Sequence, residues 1–194
     1  MTSETSVVTP ERFASGMDAF PQWMESIENR QKEFQRHYDE YEPKAEDIEA
    51  VRAYVESHGV KALVLAVDWC PDVWRGLPVI AKISEATGME MRIFERDAHK
   101  DIMAEFLNQG EFESVPTIVF YDRDHRYLGH WIERAKLANE EMAPLRDMLT
   151  GKERGTPEFD EAREAYLART WELADGWRHA QVAEFRELLA SALS

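Results

Sequence analysis

The chain has 194 residues, 44% of them hydrophobic and 31% charged. That suits one well-filled globular domain with appended helices, or at the limit two small ones, and excludes a largely disordered chain. A formal net charge of −15 argues against nucleic acid and against an anionic membrane surface, since both need clustered Lys and Arg.

Residues 1–9 are polar and are expected to fray. Residues 1–10 show no basic region followed by an apolar core, so no secretory signal is read there. A helix is predicted from Thr9-Pro10-Glu11, with Thr9 as N-cap and Pro10 in the first turn. Pro21 restarts it, and Trp23, Met24, Ile27, Phe34 and Tyr38 carry an apolar stripe to about residue 40. Ile48, Val51, Tyr54 and Val55 mark a second helix, closed by Gly59 as C-cap. Residues 61–67 (Lys-Ala-Leu-Val-Leu-Ala-Val) form a continuous apolar run of the length of a buried strand.

A helix then begins at Pro71, whose missing N–H would lack a partner in a first turn anyway, and ends near Thr87-Gly88. Residues 89–94 alternate as a second strand, and Asp97 is predicted to cap a helix carrying Ile102, Met103, Phe106 and Leu107. Residues 117–121 and 126–132 make a hairpin around Asp122-Arg123-Asp124-His125, with His125 and His130 read as solvated. Residues 136–149 are helical, and Thr156-Pro157 starts a long amphipathic stretch over 159–193 that Asp175-Gly176 would split in two. No apolar run approaches the ~20 residues of a membrane-spanning helix. The layout is α/β, a mixed sheet covered by helices. It divides into a helical extension over 1–60, a core over 61–150 and a second extension over 151–194, as parts of one compact unit.

Cys70 is the only cysteine, so an internal disulfide framework is excluded and a reducing, cytoplasmic setting is expected. The six histidines have no metal-ligand spacing; neither a metal nor a cofactor is expected. Cys70 follows a strand and precedes a helix, where unpaired backbone N–H groups and the helix dipole favour a thiolate. Asp72 pulls both ways: it complements the dipole, yet its charge disfavours the thiolate.

The turn Trp69-Cys70-Pro71-Asp72 after a buried strand resembles the active-site turn of the thioredoxin superfamily, Trp-Cys-x-x-Cys. Pro78 matches the proline of that family's active-site helix, and Ser114-Val115-Pro116-Thr117 resembles its cis-proline segment. Asp68-Trp69-Cys70 together with Gly129-His130-Trp131-Ile132-Glu133-Arg134 is similar to a bacterial thioredoxin-like branch with an extended helical N-terminus. The resemblance covers 61–150 and implies a thioredoxin-like fold with extra terminal helices.

Two departures stand out. Val73 occupies the position of the resolving cysteine, and Val64 that of the family's buried aspartate. The resemblance therefore implies single-cysteine thiol–disulfide exchange on protein disulfides or low-molecular-weight thiol adducts, with Cys70 as nucleophile and an outside thiol to release the adduct. Trp69, Pro71, Asp72 and Val73 would shape the turn, and Val115, Pro116 and Thr117 the facing substrate wall. If Pro116 is cis, the Val115 backbone could pair with an added peptide strand. The alternative is a redox-inactive binding or scaffold protein on the same fold, with Cys70 an inert small hydrophobe; a dimer linked through Cys70 is a third reading. The aromatic stripes of the terminal helices are expected to pack on each other or across a homodimer.

Overall fold

The computed structural model describes residues 6–194. The expectation of a frayed N-terminus falls partly outside these residues and fails for the rest: Val8 is 2% exposed, and Ser6 Oγ donates to Glu105 at 2.7 Å.

Four helices precede the first strand: α1 (Pro10–Ala14), α2 (Phe20–Ser26), α3 (Gln31–Glu40) and α4 (Ala45–His58). Thr9 caps α1 as expected, accepting from the Arg12 N–H at 3.1 Å, and Gly59 closes α4 at φ 63°. The stripe over residues 20–40 is broken between α2 and α3 by a tertiary contact. Asp68 Oδ2 accepts from both the Asn29 backbone N–H (3.0 Å) and its Nδ2 (2.9 Å). Arg30 follows at φ 60°, a left-handed conformation that a non-glycine residue adopts only when its surroundings hold it there.

The sheet has the order β2-β1-β3-β4, from β1 (Lys61–Ala66), β2 (Glu90–Glu95), β3 (Thr117–Tyr121) and β4 (Tyr127–Ile132). β1 is central, parallel to β2 with Val64 opposite Ile93, and antiparallel to β3 with Val64 opposite Ile118. Hence its unbroken apolar run: Ala62 to Ala66 are all fully buried. Met17 exchanges two backbone hydrogen bonds with Ile93 (2.9 and 2.7 Å), covering part of the outer edge of β2. A bulge between β3 and β4 sets Tyr127 opposite Tyr121 and Gly129 opposite Phe120.

α5 (Pro71–Thr87) links β1 to β2 and runs unbroken through Pro78. α6 (Lys100–Met103) is shorter than expected and is not capped by Asp97. His99 holds the cap position, while Asp97 pairs with Arg96 (2.7 Å) and Lys100 (2.9 Å). α7 (Lys136–Arg146) ends in a 3-10 turn, and α8 (Pro157–Ala192) is one helix capped by Thr156.

Asp175-Gly176 therefore does not split the last segment. Ala174 (1% exposed), Trp177 (5%) and Arg178 (4%) are all buried there, and that packing outweighs the ~1 kcal/mol a mid-helix glycine costs. α8 lies across α4, α5, α7 and β4, with Trp171 against His37 of α3 at 4.3 Å. Trp177 is thus buried within one chain, while Phe159, Tyr166 and Trp171 are only partly covered. The histidines of the hairpin are corrected too: both are half-buried, and His125 stacks on Tyr121 at 4.5 Å while Nε2 donates to the Val8 carbonyl at 2.7 Å.

Candidate functional site

The end of β1 and the start of α5 carry the turn. Cys70 is the N-cap residue of α5, and its carbonyl accepts from the N–H of Val73 (3.1 Å) and Trp74 (3.3 Å). Pro71 fills the first helical position as expected. Val73 points into the core and is fully buried, so the place of a resolving thiol is taken by packing. Trp69 is 55% exposed, its ring 5.4 Å from the Arg96 guanidinium. It stands beside the turn as a surface flank.

The structure brings the second predicted group opposite the first. The Val115–Pro116 bond is cis, and the half-buried Cys70 Sγ lies 3.8 Å from the Val115 carbonyl, a weak S–H···O contact. Pro116 O accepts from Glu133 N at 2.8 Å, and Thr117 Oγ1 donates to Ser114 O at 2.8 Å, which fixes the segment at the head of β3. Gly76 allows α5 this close: a Cβ there would sit 3.1 Å from Pro116 Cγ. The backbone carbonyl of Gly76 also accepts from Gln181 Nε2 of α8 at 3.0 Å, tying the terminal helix to the site.

Three residues absent from the sequence-based site, Arg75, Glu133 and Arg134, complete it around Asp72. Asp72, only 11% exposed, pairs with Arg134 at 2.6 Å and with Arg75 at 3.4 Å; Arg134 also contacts Glu133. Arg134 Nε is buried and has no partner among the described residues. Beside this network a cavity of about 20 Å³, lined by Asp72, Arg75, Arg134 and Gln181, has room for about one water. The Asp72/Arg75 spacing of three on a helix was a readable pairing signal. Arg134, from the loop after β4, was readable only as the end of the Gly129–Arg134 motif; nothing in the sequence placed it against Asp72.

The electrostatics settle the question left open by Asp72. Burial pushes the Cys70 thiol above its ordinary pKa, and the Asp72 carboxylate adds to the rise. The N–H groups of Asp72 and Val73, and then Arg134, oppose it and lose. The helix N-terminus alone would have favoured the thiolate; the resting site holds a thiol. Chemically it can supply one sulfur nucleophile after proton loss, facing a cis-proline wall, with no second thiol to resolve an adduct. Among the described residues no group of three or more His, Cys, Asp or Glu could hold a metal ion, and no helix is long and apolar enough to cross a membrane.

A family model described as thioredoxin matches residues 17–150. No curated protein matches the sequence. Among solved structures, a protein of unknown function from Pseudomonas aeruginosa is similar at a TM-score of 0.67 and 17% identity, with 97% of this chain and 99% of that chain covered. An HIV epitope-scaffold is similar at a TM-score of 0.64 and 19% identity, with the same coverage. These likenesses concern the fold. Because they span nearly the whole chain, they include the terminal helices as well as the sheet.

Proposed function

The chain belongs to the thioredoxin family, and from that premise we propose that it carries out thiol–disulfide exchange through Cys70 alone, on protein disulfides or on mixed disulfides with low-molecular-weight thiols. The observation that carries this reading is the Cys70 sulfur at the head of α5, 3.8 Å from the carbonyl that precedes the cis-proline. In the first step the thiol loses its proton to solvent, Sγ bonds to one sulfur of the substrate, and the other sulfur leaves as a thiolate. In the second, an external thiolate attacks the adduct sulfur and Cys70 is released. A reducing cytosol would supply that thiol. Trp69, Pro71 and Asp72 frame the sulfur, and Val115, Pro116 and Thr117 form the wall along which an extended segment would lie.

Because burial and Asp72 hold the proton on sulfur, the reaction should be slow near neutral pH and accelerate as pH rises toward the elevated thiol pKa. The test follows release of a peptide thiol from a mixed-disulfide peptide with excess small thiol as reductant. Wild type should turn over with that pH dependence and Cys70→Ser should not; full activity in Cys70→Ser overturns the proposal.

A second reading has its own support. The raised thiol pKa and the fully buried Val73 suit a redox-silent protein that uses the Val115–Pro116 wall only to bind a partner. Equal capture of an extended peptide by wild type and Cys70→Ser, with no exchange by either, would favour it.

A further inference from the structure

On the flank of the Cys70 turn, the first turns of α5 meet the segment that leads into α8. Pro71, next to the cysteine, and Trp74, one turn on, form one wall of a pocket of about 450 Å³. Phe159 and Tyr166 of α8 form the opposite wall. That volume lies within the range that holds small organic ligands, and the aromatic lining is typical of such sites.

The charge around it is unlike the rest of the molecule. Arg30, Arg154 and Arg163 line the pocket against a single carboxylate, Glu33, in a chain of net charge −15. Arg30 shares its charge with Glu33 at 2.9 Å and lies 5.3 Å over the Trp74 ring. Arg154 and Arg163 make no ion pair among the described residues. Arg30 is also the residue at φ 60°, held there beside the Asn29–Asp68 clasp that joins this rim to the cysteine turn. Unpaired guanidinium groups beside flat apolar walls fit a ligand with a carboxylate and an aromatic or otherwise flat apolar body.

We propose that this pocket binds carboxylate-bearing small thiols and their disulfides, the apolar body between Trp74 and Phe159 and the carboxylate on Arg154 and Arg163, and so presents the S–S bond to Cys70. The delivery step rests on the exchange reading above; anion binding does not. In that step the Cys70 proton leaves to solvent, Sγ bonds to one sulfur of the ligand disulfide, and the other departs as a thiolate with the electron pair.

Two aromatic disulfides that differ in charge test it. The dianionic 5,5′-dithiobis(2-nitrobenzoate) and the neutral 4,4′-dithiodipyridine are reacted with the native protein, each read by its released chromophore. In the Arg154→Gln/Arg163→Gln variant the dianion-to-neutral rate ratio should fall about tenfold or more, since a hydrogen bond to a charged group contributes at least that factor. An unchanged ratio overturns the proposal. Calorimetry on Cys70→Ser separates binding from reaction, with 1-naphthoate and neutral 2-naphthol as probes. Naphthoate should bind more tightly than naphthol, and the two arginine substitutions should abolish the preference. If neither disulfide reacts while naphthoate still binds in this way, the exchange reading falls and the site stands. If naphthoate shows no preference, the site falls whatever Cys70 does.

Discussion

Two buried charged clusters lie under α8, and they resolve the same problem in opposite ways. Beside Cys70, Asp72 stands between Arg134 and Arg75, each no more than 14% exposed. Under the middle of α8, His37 (1% exposed) faces Arg178 (4%) with the Trp171 ring 4.3 Å away. The first cluster offsets desolvation by pairing opposite charges. The second does so chiefly by neutralising one partner, with Glu40 (3.7 Å) and Asp175 (3.9 Å) only at longer range from the other. Burial, then the charges of Arg178, Arg75 and Arg36, pull the His37 pKa down to about 2. Arg178 Nη2 therefore donates to an unprotonated Nδ1 at 3.2 Å. A paired cluster imposes its field on its neighbours, here the thiol; a neutralised one hides its charge until acid reveals it.

Breaking the paired cluster should have the largest effect. Arg134→Ala leaves Asp72 buried with only the longer Arg75 contact, and should cost about 3–5 kcal/mol in urea unfolding. A loss below about 1 kcal/mol would mean that Arg75 suffices and that the network is not paired as described.

The neutral cluster should show itself in acid. Above pH 6.5 His37 is uncharged whether the chain is folded or unfolded. Between 6.5 and about 2 the unfolded chain binds a proton that the folded one refuses, so stability falls with pH by up to about 1.4 kcal/mol per unit. His37→Gln keeps an acceptor for Arg178 and removes the titration. The difference between variant and wild type, measured by unfolding from pH 7 to pH 4.5, should grow in the variant's favour as pH falls; a constant difference would contradict a neutral buried His37.

The smallest effect sharpens the link from cluster to thiol. Asp72→Asn removes the carboxylate that raises the Cys70 pKa and frees Arg134 to lower it. Native-state alkylation at pH 8, read by intact mass, should be faster than in wild type, because more of the sulfur is thiolate at that pH. An unchanged or slower rate would mean that burial alone sets the thiol's reactivity.

Local sequence signals determined the parts of this protein that depend on local chemistry. The apolar run at 61–67 is the central strand, Pro71 starts the helix on Cys70, Gly59 ends α4, and Thr9 and Thr156 cap their helices. The Cys70 and Val115–Pro116 segments were readable as facing partners only through the family resemblance, since nothing local fixes a contact between chain-distant segments.

Tertiary structure decided the rest because desolvation and charge pairing depend on which distant residues meet. It joined Arg134 to Asp72, raised the thiol that the helix N-terminus would have activated, and gathered Arg30, Arg154 and Arg163 around one pocket. It also kept α8 continuous through Gly176, where buried flanking residues outweigh the local preference to break.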